Sequence, residues 1–303
     1  MQQQVGLYFT SDGIAVAAID GSGEAPPTLK LCAFIAASEP GEQLQQLKRY
    51  VKQNNLKNRP CVAVLEDSQY SLFQIPAPPV KDDELKSALH WSIKDLVDYP
   101  TDAAVIDAFR VPTQERREEK MYVVVTPRDE IQKTVDFVRK TGLRLDTIDI
   151  EELSLGNLIE QVESLTRGVA VMHFGQNHGA ISLYSDSALY LTRKIDTGLF
   201  RFETMPSPDA EEQIYESIIL ELQRSLDFYE SEFSRPPISK LIIAPRHPIL
   251  QGFSDYVSNH SDLTVEIMKL GQIYTDSTAL DDENQARCLL AIAAASRKIR
   301  ATE

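Results

Sequence analysis

Positive charge is scarce in this sequence of 303 residues: 31 Lys and Arg stand against 45 Asp and Glu, a formal net charge of −14. A nucleic-acid partner requires a basic footprint for its phosphates, and no local run supplies one, so nucleic acid is excluded as a main ligand. The densest basic cluster, Arg297, Lys298 and Arg300, closes a helical pattern and reads as charge complementing a helix C-terminus. Cysteine is scarcer still. Cys32, Cys61 and Cys288 are odd in number, lie in apolar runs and lack metal-ligand spacing, which fits buried reduced thiols in a cytoplasmic protein. Long hydrophobic runs are missing, since none approaches the roughly 18 apolar residues of a membrane span. The opening Met-Gln-Gln-Gln-Val-Gly has neither the basic stretch nor the apolar stretch of a secretory leader. No direct membrane insertion is expected, and membrane association would come through a partner. P-loop and Rossmann fingerprints are absent, as are Ser/His/Asp and Cys/His nucleophile arrangements.

What is present is a repeat. Residues 168–174, 180–184 and 188–195 are strand candidates, rich in β-branched and aromatic residues and separated by turns at 175–179 and 185–187. A helix-period segment near 210–233 and the apolar run 240–244 complete the order strand, strand, strand, helix, strand. The N-terminus repeats it: strands at 5–9, 14–19 and 29–35 with a Gly/Pro loop through Pro27, a polar helix at about 41–54, and the run 61–65. A unit recurring at this distance is a duplicated domain, because solenoid periods are only roughly 20–50 residues. With 43% hydrophobic content the chain can bury two ordinary cores, and two similar lobes facing each other leave a cleft.

Between the repeats lies an insertion. Gln74-Ile-Pro-Ala-Pro-Pro-Val80 reads as a rigid connector, because its prolines cannot continue a strand ladder. A helix is expected from Asp82 to about Asp98, ended by Pro100, with Leu85, Leu89, Ile93 and Leu96 on one stripe. Trp91, the single tryptophan, projects about 150° from that stripe at ~100° per residue. It is either packed by another part of the insertion or offered to a partner. Strands at 103–111 and 121–125 flank a charged tip at 114–120. Thr126-Pro127 reads as an N-cap followed by proline at the first helical position, and Gly142 as the C-terminal stop of that helix. A strand at 143–150 and a helix at 151–165 returning to the first lobe follow. Ser207-Pro208 opens the longest helix, whose aromatic and aliphatic stripe from Tyr215 to Phe233 reads as core, and a last helix near 284–299 is expected to pack on the first lobe.

Several of these segments resemble, in order, the PilM family of type IV pilus assembly. They are Ile75-Pro-Ala-Pro-Pro, Glu84-Leu-Lys-Ser-Ala-Leu-His-Trp91, Pro100 with Asp107-Ala-Phe109, Val123-Val-Val-Thr-Pro-Arg128, Gly142-Leu-Arg-Leu-Asp-Thr-Ile-Asp149 and Glu221-Leu-Gln-Arg-Ser-Leu-Asp-Phe-Tyr229. The resemblance covers nearly the whole chain and looks closest to the branch that serves mannose-sensitive haemagglutinin (MSHA) pili. It implies an α/β, actin-like fold: RNase H-type duplicated lobes of βββαβ order with a small α+β insertion. The expected first lobe is 1–74 with 151–167 and a C-terminal helix at 284–300, the insertion 75–150, and the second lobe 168–283. It further implies a cytoplasmic protein peripheral to the inner membrane, docking the cytoplasmic tail of a PilN-like bitopic partner and in some systems meeting the assembly ATPase. Related domains serve type II secretion. Leu85, Trp91 and Ile106 are the expected docking residues.

Relatives hold ATP and Mg²⁺ in the cleft, which implies Thr10, Ser11, Gly13, Gly175, Gln176 and Arg246 as the corresponding positions here. The departures are several. The family pattern places an aspartate at Tyr8, a glycine at Thr10 and a second aspartate at His173, while Gln176-Asn-His178 and Ala244-Pro-Arg-His247 replace small or glycine-rich turns. Loss of hydrolysis is expected, with no cofactor or a degenerate ATP site, and Arg246 is expected to pair with a surface acid. His173, His178 and His247 would converge near the cleft, but their spacing does not make a metal site. A sugar or acetate kinase would need a catalytic carboxylate and a phosphate clamp, and neither is seen.

Overall fold

The computed structural model describes residues 2–21, 27–112, 118–162, 167–205, 207–274 and 281–297. Strands β1 (Gln2–Thr10), β2 (Gly13–Gly21) and β3 (Thr28–Ala36) run antiparallel; α1 (Pro40–Gln53) crosses over, and β4 (Pro60–Val64) pairs with β1 in parallel. Strand β5 (Ser71–Pro76), α2 (Asp82–Ser92), β6 (Ala104–Val111) and β7 (Lys120–Pro127) form the inserted unit, a sheet of order β5-β7-β6 beneath α2. Helix α3 (Arg128–Thr141) and β8 (Arg144–Asp149) return to the first sheet, and α4 (Glu151–Val162) leads onward. The second half repeats the first: β9 (Val169–Phe174), β10 (Gly179–Ser185), β11 (Ala188–Ile195), α5 (Leu199–Glu203), α6 (Pro208–Phe233), β12 (Lys240–Ala244), α7 (Gln251–His260), β13 (Thr264–Ile267) and α8 (Asp282–Ala295). The sheets β3-β2-β1-β4-β8 and β11-β10-β9-β12-β13 match strand for strand. This is the duplicated architecture expected from the repeat, and it agrees with the actin-like fold that the resemblance implies.

The inner strands of both large sheets are buried on both faces, so they alternate between two cores rather than between core and water. Val5, Leu7, Ile14 and Val16 point into the cluster under α1 and α3. Their neighbours Ala15, Ala17 and Ile19 point the other way, into a core shared with α4, α8 and the second sheet. The Ser185–Ala188 turn takes its two central residues, Asp186 and Ser187, into the left-handed region (φ 46° and 60°), as a tight hairpin requires. Ser207 caps α6 by accepting from the Ala210 N–H, with Pro208 at the first helical position.

The insertion is narrower than the expected 75–150. Gln74, Ile75 and Pro76 belong to β5, paired with Tyr122, Met121 and Lys120, because proline at the end of an edge strand costs no ladder bond. At the other end β8 is the outer strand of the first sheet, and Val138 and Leu143 sit in the first lobe's core, so α3 and β8 lie outside the inserted sheet. Helix α2 stops at Ser92, whose Oγ donates back to the Ala88 carbonyl at 3.1 Å, instead of running to Asp98. The turns that follow bring both Val97 and Tyr99 onto the cluster around Leu89 and Ile93, and Leu96 is left 45% exposed. Thr126 is not the N-cap of α3: its Oγ1 donates to the Gln69 carbonyl at 2.7 Å, and β7 continues to Pro127. Gly142 ends α3 at φ 88°, as expected. Arg297 reaches Asp149 (2.6 Å) rather than the helix terminus, because a buried carboxylate binds the guanidinium more strongly than a solvated one would. The segment 22–26, residues 114–117 of the charged tip, and Lys298 with Arg300 lie outside the described residues.

Helix α4 departs from its expected place as well. Leu155, Leu158 and Ile159 pack in the core of the second lobe, Gly156 sits against the Tyr184 ring, and Tyr184 Oη donates to the Glu152 carbonyl at 2.8 Å. The first sheet is covered instead by α8, from the other end of the chain. The two helices thus trade lobes, and this exchange holds the halves together. The contact of α8 with β1 is unusually close: Ala291, Ala293, Ala294 and Ala295 are fully or almost fully buried, and a Cβ built on Gly6 would lie 1.9 Å from the Ala291 carbonyl oxygen. Gly6→Ala is therefore expected to destabilise the protein by about 3 kcal/mol or more, as overpacking against backbone does. Gly41→Ala, in α1 with no atom within 4 Å of the added carbon, is the control and should change stability by less than about 0.5 kcal/mol; denaturant melts of both variants check the pair.

Candidate functional site

A cavity of about 950 Å³ opens between the lobes, walled by the β1–β2 turn, the β9–β10 turn and the first turns of α8. Of the residues singled out from sequence, Thr10, Ser11, Gly175 and Gln176 line it. Their chemistry is largely spent on the turns themselves. Thr10 Oγ1 lies 2.8 Å from Asp12 Oδ1 and 3.1 Å from the Gly13 carbonyl, while the Gly175 and Gln176 carbonyls accept from Leu199 and Phe200. Gly13 is not on the cavity: a Cβ there would meet the Ile35 carbonyl at 2.4 Å, so strand packing explains the glycine. Nor does Arg246 line it. As expected, Arg246 pairs with an acid, Asp282, at 2.9 Å.

The floor is made by groups from both lobes. Tyr8 on β1 donates its hydroxyl to Glu151 Oε1 at 2.8 Å, and the Asp67 N–H donates to the same oxygen at 3.3 Å. Glu152 Oε2 accepts from Tyr70 at 2.7 Å. Both glutamates stand in the first turn of α4, where the helix dipole favours negative charge, yet burial outweighs the dipole: it pushes the Glu151 carboxyl up to about 8 and raises Glu152 as well. Across the cleft, burial holds the His173 imidazole down at about 4, so it is neutral at physiological pH. His173 Nδ1 is 3.9 Å from Glu151 Oε2, beyond hydrogen-bond reach.

His178 and His247 line the same cavity, so the convergence of the three histidines is real. It does not make a metal centre: His247 Nδ1 already accepts from the Ile249 N–H at 3.3 Å, and among the described residues no group of three or more His, Cys, Asp or Glu is placed to hold an ion.

The electrostatics of the walls decide what the cleft can take. Asp12, Asp67 and Asp282 are each neutralised, by Arg287 (2.6 Å), Lys194 (3.0 Å) and Arg246 (2.9 Å). Glu66, Glu203 and Glu283 also line the cavity and have no cationic partner among the described residues. A triphosphate placed there meets uncompensated carboxylates at a cost of roughly 0.5–2 kcal/mol per unit-charge pair, for separations of roughly 8 Å and effective dielectrics of about 20–80. The Tyr8 phenol stands where the family pattern has a carboxylate. ATP with Mg²⁺ does not fit this residue set.

The docking residues expected on the insertion separate. Leu85 and Ile106 are half-buried and pack on one cluster between α2 and the inserted sheet. Trp91 is on the other side of α2 and 75% exposed, with Lys94 Nζ 5.6 Å from its ring, which decides against packing within the insertion. Sequence reasoning passed over Glu151, Glu66 and Lys194. The available signal was the run Asp149-Ile-Glu-Glu152, three acids around an isoleucine at the end of an apolar strand.

No family model matches the sequence, and no curated protein matches it. Solved structures do. A chain of the PilM–PilN type IV pilus biogenesis complex is 18% identical, with 96% of this chain and 97% of that one covered and a TM-score of 0.75. The cytoplasmic domain of EpsL, an inner-membrane component of the type II secretion system of Vibrio cholerae, is 12% identical over 98% and 97% of the two chains, with a TM-score of 0.55. At these identities the likeness is one of fold.

Burial of Glu151 has a consequence for stability. Its folded pKa of about 8 exceeds the ordinary value of 4.5, so the folded state keeps a proton that the unfolded state releases as pH rises between these values. Stability conferred at acid pH is lost across that window, by an amount on the order of a few kcal/mol. Glu151→Gln keeps an acceptor for Tyr8 and cannot ionise. Thermal melts should show the variant gaining on the parent between pH 5.5 and pH 8.5, with the sign of the difference most positive at pH 8.5.

Proposed function

We propose that this chain is a non-catalytic, actin-like scaffold of a type IV pilus assembly machine, on the cytoplasmic side of the inner membrane. Its partner in this reading is a PilN-like bitopic protein whose cytoplasmic N-terminal tail docks on the first lobe and insertion. Within the pilus systems, the MSHA type fits best, with the chain as a counterpart of MshI. The observation that carries the reading is the structural match to the PilM–PilN complex over almost the full length of both chains. Two features accord with it: no helix among the described residues is long and apolar enough to cross a membrane, and a bare tryptophan stands on the insertion. Large exposed aromatics are typical anchors of protein interfaces.

A nucleotide-responsive switch of pilus or secretion assembly is the second reading. It is favoured by the retained cavity between the two turns and opposed by the carboxylates that line it. A switch needs ATP to bind the open and closed forms with different affinity. Calorimetric titration with Mg-ATP separates the readings: the scaffold reading expects no binding up to millimolar ATP and no thermal shift, and micromolar binding overturns it in favour of the switch.

For the docking surface, the full chain is titrated with a synthetic peptide of the partner's cytoplasmic tail. Trp91→Ala should weaken binding by tenfold or more while the melting temperature changes little, because the side chain makes few internal contacts. Unchanged peptide affinity in a folded Trp91→Ala variant would remove Trp91 from the docking surface.

A further inference from the structure

The cleft is built against polyanions, and its unpaired groups ask for a cation. Eight carboxylates and two basic side chains, Lys194 and Arg287, line it, and three of the carboxylates, Glu66, Glu203 and Glu283, are left without a cationic partner among the described residues. An acidic surface alone would be solvated and inert. The floor adds an independent feature. His173 is only 9% exposed, lines the cavity, and makes no hydrogen bond to any described residue. Its ring nitrogens open onto the cavity and make no hydrogen bond to a described residue, and the nearby Glu151 Oε2, at 3.9 Å, is too far to serve. Between floor and mouth the wall is apolar, formed by Phe34, Phe174, Leu199, Leu289 and Leu290.

We propose that this cleft binds a primary ammonium carried on an aliphatic stem, the ammonium donating to the His173 imidazole at the floor and further positive charge meeting Glu66, Glu203 and Glu283 at the mouth. The methylenes of such a stem lie along the phenylalanine and leucine wall, as lysine stems do on apolar surfaces. An ammonium has three donors and no acceptor, which matches an imidazole lone pair and carboxylate oxygens better than a hydroxyl or a carbonyl does. Two sources carry this chemistry, a free polyamine and the lysine side chains of a peptide. The proposal concerns the cleft and not the face of α2, so it is independent of what docks at Trp91.

Calorimetry on the full chain at pH 7.5 and fixed ionic strength uses spermidine in one arm and the capped peptide acetyl-Lys-Lys-Lys-amide in the other. Saturable one-site binding of either is the expected result, and the tighter arm identifies the source. The triple variant Glu66→Gln, Glu203→Gln, Glu283→Gln should weaken binding at least tenfold. His173→Leu, which keeps the site buried and removes the acceptor, should weaken it severalfold with the charge of the mouth unchanged. Melting curves verify that both variants fold. Absence of saturable binding in both arms overturns the proposal. So does equal binding by parent and triple variant, which would mean diffuse attraction to a chain of net charge −14. If only the triple variant fails to fold, His173→Leu decides: unchanged affinity in that variant overturns the assignment of the floor.

Discussion

Glycine at position 6 and four alanines between 291 and 295 let a helix lie almost directly on a β-strand, and the rest of the molecule is arranged around that approach. With α8 this close, the first sheet loses its second solvent face and its strands become apolar on both sides. The same helix is then near enough to present Asp282, Glu283 and Arg287 to the cleft, and Arg287 to stack over Phe34 at 4.0 Å while it pairs with Asp12. A larger residue at either surface would lift the helix and open the cleft at once. Packing and electrostatics are coupled here through one distance.

The inserted sheet performs a second joining function. Its upper face is the cluster beneath α2, and its lower face reaches the second lobe: Tyr122 Oη accepts from the Thr192 N–H at 3.1 Å, Gln74 Nε2 donates to the Tyr190 carbonyl at 3.4 Å, and Lys120 pairs with Glu232. Tyr122 and Val111 belong to the core that runs through the second lobe. The inserted sheet thus touches β11 at Thr192, two positions before Lys194, which binds Asp67 at the cleft.

How much of this was legible in sequence follows from the range of the forces involved. The duplicated order of strands and helices, the caps at Ser207 and Gly142, and the core stripe of α6 are local patterns, and they read correctly because periodicity and turn chemistry act over a few residues. The errors are all tertiary. Gln74 to Pro76 reads as a connector until β7 is beside it; α2 reads as long until Val97 and Tyr99 are seen to compete with Leu96 for one cluster. Thr126 resembles a cap in sequence, but a carbonyl 57 positions away claims its hydroxyl. In the cleft, the turns and the positions of Tyr8 and His173 were legible but Glu151 was not, because its perturbation comes from burial among Tyr8, Asp67 and His173, which are far apart in the chain. Arg246 was placed in the cleft by family pattern and is held outside it by Asp282.

The exchange of α4 and α8 between the lobes also bears on synthesis. A domain made in order along the chain can ordinarily close its core as it leaves the ribosome. Here the first sheet, complete once β8 has emerged, keeps one face of alanine, valine and isoleucine bare until α8 arrives after the whole second lobe. Meanwhile α4, already made, has no sheet to lie on until β9, β10 and β11 form. In chain order, then, the packing of the first lobe is completed last, by a helix made after the second lobe.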